Sequence, residues 1–443
     1  MRESVHRTAL IRCSESAYLA HLRSHAEHAD CLSNYGSLLQ DMGRTEEAKA
    51  ALLKAIGVDD KHSAAMFNLA MLLQDEQQLA QAAKLYLRIT ELEPASIDAL
   101  SNLATCYHQL GLVAEAVEYY HRAIAVVDPQ DSAMKSTLYE HLGRSLLRLP
   151  TDHAMASQEQ IIDAFSNALR HDPYNEVAQH LLSSQKQQGG EQNPPENFVR
   201  KLFDDYAADF EQSLAGLNYS APRLIHEHLE PLMERSKVWD LVLDLGCGSG
   251  LMGQLLREKA RRMVGIDLSP KMLFVAEEKG IYDLLIEGDV LAFLDELIRQ
   301  RHSPPEREEV QGSRKMRGSS VAHLDQLKLA GTDLRNGLGE GATLVTAADV
   351  FVYIGDLDPL LAKLAKLVKA EDVVTFTVEA LVEENEFGWL LQRSGRFAHS
   401  KSYLNRLADR YGFAVLSLER IVPRMEQGKE IEGYLTILKK NKI

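Results

Sequence analysis

The sequence predicts two architectures in one chain: an α-helical solenoid in the first half, then an α/β domain built on a seven-stranded, mainly parallel, Rossmann-like sheet. Three observations carry this. One pattern of small and apolar residues recurs with a period of 34 residues, as positions 36, 70 and 104 show. After Phe198 the pattern changes to apolar strands alternating with amphipathic helices. The first of those strands runs into a glycine-rich turn, LDLGCGSG, from Leu243 to Gly250. Strand-helix alternation implies a parallel sheet covered on both faces, with ligands at the carboxyl ends of its strands.

The bulk numbers agree with this. A chain of 443 residues, 45% hydrophobic and 26% charged, has the size of two or three globular domains. No apolar run approaches the roughly 20 residues needed to span a bilayer, and MRESVHRTALIRCSES lacks the apolar core of a secretory signal. Glu3 and Glu15 count against an organelle transit peptide, so the cytoplasm is the expected compartment. Cys13, Cys31, Cys106 and Cys247 show no paired spacing, which indicates neither a disulfide framework nor a zinc site. The net charge of -15 argues against a nucleic-acid partner, because that affinity is largely cation-to-phosphate attraction.

Between Asp30 and Asp172 the repeat reads Gly36, Ala48, Leu52, Ala55; then Ala70, Ala82, Tyr86, Ile89, Pro94; then Ala104, Ala116, Tyr120, Ala123. Small residues at these offsets let two antiparallel helices pack closely, which is the tetratricopeptide signature. A fourth copy begins at Tyr139-x-x-Leu142-Gly143 and closes with Phe165-x-x-Ala168 and Pro173, with a longer loop near Pro150 to Gln158. Glu176 to Gln185 reads as a capping helix, and Ser14 to His25 as half of a degenerate repeat. Asn34, Asn68 and Asn102 recur at the same spacing. A carboxamide both donates and accepts, so this ladder predicts a groove for the backbone of a protein or peptide, unless Asn is simply a common choice at this helix position. His21, His25 and His28 read as a solvated helix face, and no metal is expected.

The organisation that follows is an N-terminal helical segment (1–29), the repeats (30–186), a linker (187–198) and the α/β domain (199–443). The linker is polar and rich in Gly and Pro. Its Asn193-Pro194-Pro195 resembles a methyltransferase loop, but no strand precedes it and no aromatic follows.

In the α/β domain, strands are expected at Trp239–Asp244, Met263–Asp267, Asp283–Glu287, Thr343–Ala348, Val373–Glu379, Ala414–Arg420 and Glu432–Leu438, with helices between. The first turn does not have the G-x-G-x-x-G spacing of a dinucleotide fingerprint, since position 251 is Leu. Its G-x-G-x-G spacing, with Asp244 at the strand end, suits the amino-acid portion of S-adenosylmethionine: Gly246, Cys247, Gly248 and Gly250 bring backbone close to a ligand, Cys247 serving as a small spacer. Asp267 ends the second strand where a carboxylate can accept from both ribose hydroxyls, with Leu268 and Met272 beside it. Asp289 after the third strand can accept the adenine amino group, and Val290 can pack on the ring.

With these residues in place, 199–443 resembles a class I S-adenosylmethionine-dependent methyltransferase. Phe203-Asp-Asp-Tyr-Ala207, Phe210 and Leu217-Asn-Tyr219-Ser-Ala-Pro222 further resemble the N-terminal helices of a methyltransferase-like group often fused to tetratricopeptide repeats in bacteria. Ala347-Ala-Asp349-Val-Phe-Val-Tyr353, Val378-Glu-Ala380 and Ser394-Gly-Arg-Phe-Ala-His399-Ser are further marks of that group, whose substrates are mostly unassigned. The resemblance implies that Tyr206 closes over the methionyl end of the cofactor. The stretch 301–341, rich in Ser, Pro, Glu, Arg and Gly, departs from the pattern and reads as a flexible surface insertion. Leaving from a helix end, it is expected at the end of the sheet away from the ligand loops.

Methyl transfer demands alignment and, for a protonated acceptor, a base. Asp349 is expected beside the cofactor, and Tyr353 and Arg396 in the acceptor site, with Arg396 pairing an acceptor carboxylate. His399 is the candidate base and Tyr403 its orienter; alternatively His399 bridges loop and sheet. Three functions stay open: a methyltransferase whose repeats recruit a protein or peptide, a small-molecule methyltransferase whose repeats serve assembly only, and a non-catalytic S-adenosylmethionine-binding scaffold.

Overall fold

A computed structural model describes residues 15–149, 157–186, 193–207, 210–232, 238–302, 321–323, 341–426 and 428–442. The chain divides into two compact units, Met1–Gln179 and His180–Ile443. Among the described residues no helix is long and apolar enough to cross a membrane.

The first unit is a stack of helix pairs: Ala29–Asp41 with Thr45–Val58, Ser63–Asp75 with Leu79–Leu92, Ile97–Gln109 with Val113–Val126, and Ser132–Arg148 with Gln158–His171. The loop predicted near Pro150 lies outside the described residues. The repeat residues are small because their space is taken. A Cβ on Gly36 would stand 2.7 Å from Leu52 Cγ, and one on Gly143 would stand 2.6 Å from the Phe165 ring. Gly143→Ala is therefore expected to cost about 1–3 kcal/mol by overpacking. Urea unfolding checks this, with Phe165→Leu in the same background recovering part of the loss.

Two helix starts use an unannounced device. His28 and His62, themselves 34 residues apart, each accept a backbone N–H at Nδ1, from Cys31 and Ala65 respectively. An accepting Nδ1 puts the proton of a neutral ring on Nε2, and His62 Nε2 lies 3.2 Å from Asp30 Oδ1 in the preceding repeat. Histidine thus caps its own helix and ties it to its neighbour. Asn68 is also engaged within the array, donating to Ser37 Oγ at 2.8 Å, whereas Asn34 is exposed and Asn102 half-buried.

In the second unit the strands are β1 (Trp239–Leu245), β2 (Ala260–Asp267), β3 (Leu284–Glu287), β4 (Val321–His323), β5 (Thr343–Ala347), β6 (Val373–Ala380), β7 (Trp389–Leu391), β8 (Phe397–His399), β9 (Phe413–Glu426) and β10 (Lys429–Lys440). The seven expected strands form the order β3-β2-β1-β5-β6-β10-β9, parallel except for β10. The central strands are apolar on both faces, as covered parallel strands must be. Leu241, Leu243 and Leu245 of β1 join one core cluster, and Val242 joins the other.

Two expectations need correction. The insertion contributes β4, which pairs in parallel with β3 and aligns His323 with Glu287, at the carboxyl end of the sheet rather than the opposite one. Strand β9 also runs six residues past Arg420, the expected end, to Glu426. As the last strand in the sheet order it is an edge strand, where Pro423 costs no ladder hydrogen bond, and beside the proline Ser220 N donates to Pro423 O at 2.8 Å and Met425 N to Leu217 O at 2.7 Å.

Candidate active site

The carboxyl ends of β1, β2 and β3 bring together the glycine turn, Asp267 and Asp289. Gly246, Gly248 and Gly250 all have left-handed φ, of 65°, 52° and 89°, so each position favours glycine by conformation. Their surroundings differ. A Cβ on Gly246 would stand 2.4 Å from a Val350 methyl, and one on Gly250 would press on Ile281 and Tyr282 at 3.1 Å. Those two are required by packing. At Gly248 the nearest atom is Phe210 Cε1, 3.8 Å away, so this glycine alone faces room for a ligand. The Cys247 side chain is buried, its Sγ packed at Gly265, and serves as the expected spacer.

Asp267 fastens the turn to its neighbour: Oδ2 accepts from Gly248 N at 2.8 Å and Oδ1 from Ser269 N at 2.9 Å. Asp244 accepts from Tyr282 Oη at 2.6 Å. Burial pushes the Asp244 carboxyl up to about 7, with the Tyr282 hydrogen bond opposing. Burial likewise pushes Asp267 up to about 6, against the N–H groups of Ser269 and Gly248. Asp289 caps the helix Val290–His302, accepting from Ala292 N at 2.9 Å, with Val290 buried behind it. Leu268 is half-buried beside Asp267. Met272 is fully enclosed, so it supports the site from behind instead of lining it. The Tyr206 side chain lies outside the described residues.

A cover the sequence did not announce lies over the turn. Glu211, on the helix Phe210–Gly216, accepts from Ser249 Oγ at 2.8 Å and from Lys279 Nζ, while Asp204 accepts from Ser269 Oγ.

The residues fit S-adenosylmethionine: an open glycine turn, a carboxylate at the end of β2 and another after β3. A ligand that donates hydroxyls to Asp267 favours its ionised form. Affinity for the demethylated product, S-adenosylhomocysteine, is therefore expected to rise as pH climbs through about 6 to 7, then level off; calorimetry from pH 5 to 8 checks this. For the ligand-free protein the sign is opposite. A raised carboxyl pKa gives a stabilising contribution that is complete below the ordinary carboxylate range and is lost as pH rises through 6 and 7.

At the ends of β5 and β6 the structure gathers five charges. Both Nη1 contacts of buried Arg424 to Asp349 are short, 2.8 and 2.7 Å to Oδ1 and Oδ2, Nη2 pairs with Glu379, and Nε pairs with Glu426 at 2.8 Å. Arg396 pairs with Glu426 through Nη1 and donates from Nε to Tyr353 Oη at 3.2 Å. Burial raises the Glu379 carboxyl, with Arg424 and Arg396 opposing. Burial works the same way on Glu426, yet the two guanidiniums outweigh it and hold that carboxyl below its ordinary range. Asp349 adopts φ 62°, its N–H held by Thr377 Oγ1 at 2.8 Å.

This corrects three expectations. Asp349 is paired with Arg424 through both carboxylate oxygens, so it is not a free receptor for the cofactor. Arg396 is already held by Glu426 and Tyr353, so it is not a vacant receptor for a carboxylate. His399 and Tyr403 are not an acid-base pair: fully buried His399 directs Nε2 at the Ile354 and Gly355 carbonyls, 3.0 and 2.9 Å away. Burial pushes its pKa down to about 4, with those carbonyls opposing. Among the described residues its Nδ1 has no hydrogen-bond partner. Tyr403 Oη instead donates to Asp356 at 2.8 Å and accepts from Leu357 N. Both fasten β8 and its helix to the loop after β5.

Tyr353, half-buried, remains where the acceptor is expected. Its ring meets Phe203 with centroids 5.6 Å apart, and Phe203 meets Phe210 at 6.2 Å. An aromatic row thus runs from Gly248 to the ion cluster. Arg424 and Glu426 were missed, and Glu379, singled out only within the mark Val378-Glu-Ala380, was given no role, although a glutamate in the apolar strand VVTFTVEA was a readable signal.

Two parts of the chain match known families. Residues 202–418 match the family described as "Methyltransferase domain", and residues 35–97 and 69–132 match "Tetratricopeptide repeat". Human methyltransferase-like protein 27 is 37% identical over 85 residues, 19% of this chain and 35% of that protein. The Arabidopsis thaliana 18S rRNA (guanine-N(7))-methyltransferase RID2 is 36% identical over 98 residues, 22% of this chain and 32% of that protein. The chain thus spans about a third of the length of these curated relatives. Among solved structures, Burkholderia thailandensis 1,6-didemethyltoxoflavin-N1-methyltransferase aligns with TM-score 0.37 and 12% identity, covering 58% of this chain and 94% of that one. The MamA protein aligns with TM-score 0.33 and 18% identity, covering 39% and 87%. From the glycine turn, the strand order and the family match together, residues 202–418 are a class I S-adenosylmethionine-dependent methyltransferase domain, joined in one chain to tetratricopeptide repeats.

Proposed function

We propose that the chain transfers a methyl group from S-adenosylmethionine and that its repeat array recruits a protein or peptide, the acceptor or its carrier. The observation that supports cofactor use most directly is the Gly248–Asp267 contact, which places an open backbone turn and a carboxylate at adjacent strand ends, with Asp289 next in order. When bound, the cofactor supplies an electrophilic methyl carbon on a sulfonium. The chain's own residues then hold and shield it: Asp267 and Asp289 grip sugar and base, and the Phe210–Gly216 helix excludes water above the turn. Recruitment rests on the repeats and on Asn34 and Asn102, whose side chains, unlike that of Asn68, make no hydrogen bond within the array among the described residues.

Incubating lysate with methyl-labelled cofactor and the full chain tests both parts. Label in macromolecules supports recruitment, and label only in the filtrate leaves a small-molecule enzyme. Label in neither, with cofactor bound, leaves a scaffold. Replacing Asn34 and Asn102 with Ala should strongly reduce macromolecular labelling without changing cofactor affinity.

A further inference from the structure

We propose that His180, Gln185 and Asn193 are positioning residues for methyl transfer: they set the β7–β8 turn and the loop after β5, from which Arg396 and Tyr353 form one wall of the acceptor site. This deepens the methyltransferase reading and rests on it. All three residues precede the family-matched stretch 202–418, where the sequence reads as a repeat cap and a linker.

The second unit begins at His180, partway along the helix Glu176–Lys186. From there His180, Leu181, Ser184 and Gln185 are buried, and their spacing puts them on one helix face. Three of the four are polar, and buried polar groups need partners. Ser184 turns back to Leu181 O, while His180 and Gln185 reach the β7–β8 turn. That turn closes on itself through Gln392 N to Arg396 O at 2.7 Å and Gly395 N to Gln392 O at 2.9 Å. The helix takes two other carbonyls: His180 Nε2 lies 3.0 Å from Gly395 O, and Gln185 Nε2 donates to Arg393 O at 3.0 Å. A ring nitrogen facing a carbonyl carries the proton, so His180 acts as a donor. Leu181 packs beside them, its Cδ2 3.5 Å from where a Cβ on Gly395 would stand.

Arg396 leaves this turn to meet Tyr353 Oη and Glu426, so the placement of the turn sets where the guanidinium stands. The His180 ring also meets Phe397 and Phe198, with centroids 6.3 and 5.5 Å apart. Phe198 shares the helix Glu196–Tyr206 with Phe203, whose ring meets Tyr353. Asn193 supplies a separate hold: its Oδ1 accepts from Gly355 N at 3.0 Å, two residues past Tyr353. Tyr353 is thus held through its hydroxyl, its ring and its own loop, and each line leads back to residues 180–198. Transfer requires the acceptor atom in line with the methyl carbon, and a misplacement of about 1 Å can cost on the order of a hundredfold in rate. The contribution of these residues is alignment, with no proton or bond of their own in the reaction.

The test uses the full chain, methyl-labelled S-adenosylmethionine and whole lysate, with S-adenosylhomocysteine calorimetry and amide hydrogen exchange on the same preparations. His180→Phe keeps the ring contacts and removes the donor. It should slow labelling at least about tenfold and speed exchange of the turn amides at 392–395, with product affinity unchanged. His180→Gln restores a donor and should recover most of the rate. Asn193→Ala should slow labelling likewise while speeding exchange at Gly355, and Asn193→Asp, which keeps an acceptor oxygen, should recover it. The two residues hold different loops, so either series decides if the other fails to fold. Unchanged labelling in both His180→Phe and Asn193→Ala overturns the proposal. So does a loss of labelling matched by a loss of product affinity, which marks general unfolding, or a loss that neither conservative variant recovers. Wild-type protein that labels nothing overturns the transferase reading itself.

Discussion

Replacing Arg424 with methionine is expected to destabilise the second unit by about 3–5 kcal/mol, the cost of stranding buried charge when one member of an ion cluster is removed. Methionine matches the length of the aliphatic stem, so the loss is electrostatic and not a cavity effect. Asp349, Glu379 and Glu426 would face one another with only Arg396 left among them. Their pKa values would rise, so the sign of the pH dependence is fixed. The penalty is small in acid, where the carboxyls are protonated, and grows as pH rises through their shifted values. Urea unfolding of variant and wild type at pH 4.5 and pH 7.5 reads both magnitude and sign. An unchanged midpoint at pH 7.5 would mean that solvent, and not the guanidinium, neutralises these carboxylates.

The second large effect is expected at Asp267. Its two oxygens hold the glycine turn through Gly248 N and the next helix through Ser269 N, and the same carboxylate is assigned the ribose hydroxyls. A hydrogen bond to a charged group contributes about 1.5–3 kcal/mol. Losing two of them in Asp267→Ala should weaken cofactor binding by at least about a hundredfold. Asp267→Asn, which keeps one acceptor oxygen, should fall between the two. Asp289→Ala should cost less, since that carboxylate is more open to water and is assigned one donor.

The contrast between these sites explains what could be read from the residues alone. Asp244, Asp267 and Asp289 were legible because each follows an apolar strand, and chain order places successive strand ends side by side in a parallel sheet. The repeats were legible because Gly36, Ala70 and Ala104 answer one packing demand at one spacing. Arg424 and Glu426 were not legible. Pro423 interrupts the apolar alternation just before them, and nothing local shows that β9 is an edge strand able to continue past a proline. His399 failed for another reason. A single histidine near neutral pKa reads as a proton acceptor, and only its burial against the Ile354 and Gly355 carbonyls makes it a neutral structural brace. Asn68 reads like Asn34 and Asn102 but differs because Ser37 happens to lie across from it.

The central claim is that the turn after β1 and the carboxylates at the ends of β2 and β3 hold a sulfonium nucleoside. Titration calorimetry of the purified full chain with S-adenosylhomocysteine, alongside Asp267→Ala, tests it most directly. The expected result is saturable one-to-one binding to the wild type and a loss of about a hundredfold or more in the variant. Absence of heat with this compound and with S-adenosylmethionine, while a nicotinamide dinucleotide binds, would contradict it.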